Sequence, residues 1–144
     1  MTSSDSGSGS GSGTSERPVA WPARLAWAAL GAFLLFWAVF EGVKHGGWSI
    51  PMAVLGILVP DLSFLLGAGS GPRERGQMPP RMVGVYNLLH RPLIPLVLLV
   101  ALSFAPTPNT TVAAPFTFGL AWLGHICVDR VLGHGLRRPD GRPR

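Results

Sequence analysis

The chain has 144 residues, 47% of them apolar and only 13% charged, about half the charged share of a soluble domain. One domain with lipid as solvent for much of its length is the reading this composition favours. The net charge of +5 would suit nucleic acid, but the basic residues fall between and beyond apolar runs rather than on one polar face, so no nucleic-acid partner is expected. Cys127 is the single cysteine, which excludes an intrachain disulfide.

Residues 1–18 are a Ser/Gly tract with nothing to bury, predicted as a disordered tail. They lack the pattern of a signal peptide. Four apolar segments follow within 19–136, each near the roughly 20 residues that cross about 30 Å of hydrocarbon. The first covers 21–40, with Trp21, Trp27 and Trp37 suited to interfaces, and a turn is expected over 41–48 around Gly46-Gly47. The second covers 49–67 and is interrupted by Pro60-Asp61. A polar Gly/Pro-rich loop, 68–81, leads to the third, 82–104, which holds Tyr86, Asn87, His90, Arg91, Pro92 and Pro95. An uncharged loop, 105–112, precedes the fourth, 113–132, which holds His125, Asp129 and Arg130. Residues 137–144 form a basic tail. The expected fold is all-α, a four-helix integral membrane bundle. A soluble two-layer bundle is the alternative, disfavoured because these segments have almost no polar face to show water.

Basic residues outside the segments set the orientation. Arg17, Arg24, Arg73, Arg75, Arg81, Arg137, Arg138, Arg142 and Arg144 fall on one side and Lys44 alone on the other. This asymmetry predicts a multi-pass protein of the inner (cytoplasmic) membrane with both termini in the cytoplasm. The arginines are expected to attract anionic lipid head groups.

Depth follows from orientation. Asp61, His90, His125 and Asp129 come from segments of alternating direction, yet each lies about 5–12 Å above a cytoplasmic helix end at roughly 1.5 Å per residue. Ionisable groups inside a membrane segment are costly and are functional candidates by default. His125 and Asp129 share a face at i,i+4, as do Tyr86 and His90, and separately Asn87 and Arg91. Pro60, Pro92 and Pro95 should loosen their helices and free carbonyls that need partners.

Two imidazoles and two carboxylates suit Zn, Mn or Fe. On this reading Asp61, His90, His125 and Asp129 hold a divalent metal that acidifies a water for hydrolysis of a lipid or phosphate ester. Tyr86 and Asn87 then orient ligands or substrate, and Arg91 or Arg130 holds an anionic group. Two other readings stand beside it. In one, Asp61 and Asp129 pair with Arg91 and Arg130 and brace the bundle, with the histidines as neutral helix glue. In the other, the layer relays protons or cations, which requires a homo-oligomer because four helices enclose little space. His134 and Asp140 are expected to be solvated or snorkelling near the tail. Cys127 is expected to pack.

Pro60-Asp61-Leu62-Ser63, Tyr86-Asn87-x-x-His90, and His125-x-x-x-Asp129-Arg130-x-x-Gly133-x-Gly135-Leu136 followed by Pro139-Asp140-Gly141 resemble the domain-of-unknown-function 4260 family of small bacterial integral membrane proteins. The likeness covers about residues 24–141. It implies a four-helix membrane protein and no established activity. Two positions depart from the family pattern: an acidic residue expected early in the first helix is Ala26, and a tyrosine expected between the late glycines is His134. A looser likeness, in the Pro-Asp, the following His and the His-x-x-x-Asp, is to membrane-bound metal-dependent hydrolases.

Overall fold

The computed structural model describes residues 21–69 and 77–143. The expected disordered tail at 1–18 and the middle-loop arginines Arg73 and Arg75 lie outside the described residues. Helices α1 (Trp21–His45) and α2 (Ser49–Leu58) are followed by a 3-10 segment (Val59–Gly67), then α3 (Pro80–Leu89), α4 (Leu93–Ser103) and α5 (Asn109–Leu132). Counted as spans, Trp21–His45, Ser49–Gly67, Pro80–Ser103 and Asn109–Leu132 are each long and apolar enough to cross a membrane. The fold is therefore the all-α four-helix architecture expected, and the chain reads as a multi-pass membrane protein.

Two boundaries differ from the sequence reading by about four or five residues. The first helix runs through the expected turn to His45, because Glu41 finds its partners on its own helix: Trp37 Nε1 donates to it at 3.2 Å and His45 Nε2 lies at 3.1 Å, both at i±4. The last helix starts at Asn109, inside the expected loop, directly after Pro108, whose fixed φ suits a helix start.

Helix α5 is the centre of the bundle. Over half of its apolar window is buried, against about a fifth or less in the other spans. Small residues let its neighbours approach. A Cβ on Gly31 of α1 would sit 3.1 Å from Cys127 Cβ, and one on Gly119 would sit 3.0 Å from a Leu99 methyl. At Gly56 of α2 it would run into the Phe118 carbonyl and lie 2.9 Å from Ala121 Cβ. Close backbone approach of this kind is how helices gain packing in lipid, where the hydrophobic effect gives no drive between them. Leu34, Ala38, Leu99, Leu120, Ala121, Leu123 and Cys127 form the core. Outward-facing side chains such as Phe36, Val43, Leu65, Leu93 and Val97 remain exposed on the outer spans, as suits hydrocarbon contact.

The second and third spans both change character at prolines. Pro60 lacks the N–H that an α-helix needs, and the chain continues past α2 as nine residues of 3-10 helix. Runs beyond three or four residues of that helix are uncommon. Up to Leu58 this span packs along α5; beyond it, the 3-10 segment leans toward α3 instead. In the third span the helix breaks at His90–Pro92. Arg91 N donates to Leu88 O at 3.3 Å and Ile94 N to Arg91 O at 3.2 Å, so tight turns recapture the carbonyls the prolines free. The two carbonyls left over are taken by α5: Trp122 Nε1 donates to Leu89 O at 2.8 Å and Arg130 to His90 O at 3.2 Å.

Candidate metal centre

The break at residue 90 positions the most buried ionisable group. His90 caps α3, its N–H on Tyr86 O at 2.9 Å. Its ring is 2% exposed and stacks on Tyr86, with centroids 3.9 Å apart and 22° between planes. His90 Nδ1 also lies 2.9 Å from Tyr86 O. A carbonyl only accepts, so Nδ1 carries the proton and the Nε2 lone pair points away from it. A fixed tautomer with a backbone oxygen behind it is the usual support for a metal-binding imidazole.

The open Nε2 of His90 faces residues from two other spans. Asp129 Oδ2 lies 3.1 Å away and Asp61 Oδ1 4.0 Å. His125 Nε2 lies 3.6 Å from Asp61 Oδ1 and 3.8 Å from Asp129 Oδ2. Neither Nε2 has a hydrogen-bond partner, although both are buried. One donor atom each from Asp61, His90 and His125 fall within 4.8 Å of one another. Ligand atoms bound to one ion at about 2.1 Å sit up to about 4.2 Å apart, so the separations of Asp61 from both imidazoles are in range. Asp129 adjoins this trio through His90. Of the four residues expected to converge, Asp61, His90 and His125 form the group and Asp129 lies beside it.

The supporting residues divide differently from the expectation. Tyr86 is buried under His90 and holds it by its ring and its carbonyl. Asn87 faces away from the cluster and clamps the C-terminal segment, donating to Arg137 O at 2.9 Å and accepting from Arg137 N at 2.7 Å. Arg91 is exposed and is not part of the cluster. Its i,i+4 relation to Asn87 is lost because the helix has ended at Leu89. Arg130 donates to the carbonyls of His90 and His134. Neither Arg91 nor Arg130 forms an ion pair with Asp61 or Asp129 among the described residues, so the braced arrangement is not the one adopted.

His134, expected to be solvated, is half exposed and yet reaches the edge of the cluster. Helix α5 ends on Gly133 at φ +83°, with Gly133 N bonding to Arg130 O and His134 N to Asp129 O at 2.8 Å. This left-handed stop folds the next residue back over the last turn and brings His134 Nδ1 to 3.6 Å from Asp129 Oδ1. Gly133 directly after an apolar helix was the available signal. The basic tail is also docked: Met78 N donates to Gly141 O at 3.0 Å and Gln77 to Asp140 O at 2.9 Å. Beside the cluster lies a cavity of about 500 Å³, lined by the ionisable Asp61, His125 and Asp129 and the apolar Phe64, Val128 and Leu132, with Met78, Tyr86, His134 and Arg137 completing it.

The family model described as "Domain of unknown function (DUF4260)" matches residues 24–142. The match takes in all four spans, the cluster and the docked tail. No curated protein and no solved structure matches the chain. The chain belongs to the DUF4260 family.

Proposed function

We propose that this DUF4260 membrane protein holds a divalent transition-metal ion at Asp61, His90 and His125, with Asp129 beside them, and hydrolyses an ester at the membrane surface. The observation that carries the reading is the pair of buried imidazole Nε2 atoms, both without a hydrogen-bond partner, facing carboxylates from other spans. A buried acceptor left unmade costs about 1–3 kcal/mol. Binding a cation removes that cost and offsets the burial of the two carboxylates. Imidazole with carboxylate suits Zn, Mn or Fe better than the all-oxygen ions.

Such an ion, when bound, supplies Lewis acidity and lowers the pKa of a water. Hydrolysis joins the water's oxygen to the phosphorus or carbonyl carbon and breaks the bond to the ester oxygen, which leaves with a proton from the water. Asp129 is the carboxylate nearest His90 that is outside the ligand trio, and it can hold that proton in transit. Tyr86 and its carbonyl keep His90 in the ligating tautomer throughout.

The arginine asymmetry supports a cytoplasmic position for the cluster, with both termini on the same side, and attraction of anionic head groups to the docked tail. Cysteine substitutions at residues 44 and 74 test the orientation; labelling of both from one side contradicts it.

Elemental analysis of purified protein tests the centre. One divalent transition metal per chain is expected, falling to background in His90→Ala and His125→Ala while both variants keep their helical spectrum. A wild-type protein purified without chelator and refractory to loading by Zn, Mn and Fe overturns the reading.

A further inference from the structure

The cluster lies beside a cleft that is lined by both ionisable and apolar side chains. The second span packs along α5 up to Leu58, whereas the 3-10 segment after it leans toward α3. Residues of that segment and of α5 line the cavity of about 500 Å³. Asp61, His125 and Asp129 supply its ionisable lining. Phe64, Val128 and Leu132 supply apolar lining, and they are also among the exposed apolar side chains of the bundle surface, at 50%, 40% and 62% exposure. The apolar lining therefore reaches the surface suited to acyl chains.

We propose that this cleft admits a phosphate-bearing membrane lipid sideways from the bilayer, its head group at the Asp/His centre and its hydrocarbon along Phe64, Val128 and Leu132. The head-group half rests on the metal reading above. The acyl half rests on the apolar lining alone. A cavity of about 500 Å³ holds a head group and the first part of a chain, not a whole lipid, so the remainder of the chain stays in hydrocarbon. A divalent ion turns the carboxylate-bearing lining into an anion site, and His134, half exposed in that lining, adds a donor for phosphate oxygens. His90 supplies the evidence of a ligand, since its side chain is 2% exposed and its Nε2 is unpartnered and directed into the cluster. A water-soluble phosphate ester would use the same ionisable lining but would gain nothing from the apolar lining.

The test uses the full chain in phosphatidylcholine vesicles, with metal content measured on the same preparation. A long-chain alkyl phosphate carrying a diazirine near its head group is photo-crosslinked, and the labelled peptides are identified by mass spectrometry. Labelling at 64, 128 or 132 is expected. A long-chain phosphate should displace the probe at about tenfold or more lower concentration than a short-chain one, since each few buried methylenes are worth that factor. Val128→Trp and Leu132→Glu should weaken the long-chain competitor by a similar factor and leave metal content unchanged. Metal bound but equal competition by long and short phosphates overturns lateral lipid entry and leaves the metal centre standing. Absence of metal with chain-length-dependent labelling overturns the metal centre and supports the lipid cleft. Labelling spread over all four spans with no competition overturns the cleft.

Discussion

The two ends of the bundle each bring an acid beside an imidazole, and they are assembled differently. At the end where α1 meets α2, Glu41 is served by its own helix. Trp37 donates to it, His45 lies 3.1 Å away and Lys44 3.9 Å. At the other end, Asp61, His90, His125 and Asp129 come from three spans, and two buried imidazole nitrogens face carboxylates of other spans without a hydrogen bond. The first group satisfies itself within one turn and ends a helix. The second has binding capacity left over, and it holds that capacity with elements that gain nothing locally from doing so. The local group suits a structural role; the non-local cluster is the candidate site.

The sharpest way to break this contrast is metal content. His90→Ala or His125→Ala should abolish metal binding, whereas Glu41→Ala should leave it intact, measured by elemental analysis of each purified variant. Loss in Glu41→Ala would mean that the two ends are not independent. Next in size is the packing that holds the site's spans in place. Gly56→Leu puts a side chain against the Phe118 carbonyl and Ala121, and overpacking of this kind costs about 1–3 kcal/mol or more. Thermal unfolding in detergent should show a clear drop, with metal lost alongside because Asp61 moves with its span. Gly84, which has open space around its Cβ position, gives the control: Gly84→Ala should be neutral or raise stability by about 0.5–1 kcal/mol. Smaller again is Trp122→Phe, which leaves Leu89 O without its α5 donor. A cost of about 1 kcal/mol is expected, and the site, one residue beyond, should hold metal more weakly. The smallest effect belongs to Glu41→Gln, which removes the charge from pairs made within one helix turn, worth about 1 kcal/mol, and should leave metal affinity unmoved.

Much of this was legible before any coordinates. Four apolar stretches of the right length give four spans, and counting from their ends puts Asp61, His90, His125 and Asp129 at one height. Alternating chain direction then makes their meeting a consequence of topology. Three features were not legible, for three physical reasons. Arg91 left the cluster because side-chain spacing is only meaningful while the helix continues, and the helix ends at Leu89, before Arg91 is reached. His134 joined it because the left-handed turn at Gly133 reverses the chain, and a residue counted as past the helix end comes back over it. Asn87 was placed near the metal by its neighbours in sequence, yet its amide serves the Arg137 backbone fifty residues away, a pairing for which no local pattern exists. Asp61 does join the cluster, carried there by the 3-10 segment that follows Leu58.

That geometry also settles a matter of reach. The second span has 19 residues, and as a uniform α-helix it would extend about 28 Å, short of a hydrocarbon layer about 30 Å thick. Its last nine residues are wound as 3-10 helix, which climbs about 2.0 Å per residue instead of 1.5, so the whole stretch extends about 33 Å. The tighter winding gives the shortest span enough length to match the layer. Reinforcing that segment as ordinary helix would therefore thin the surrounding bilayer or draw Ala68 below its surface.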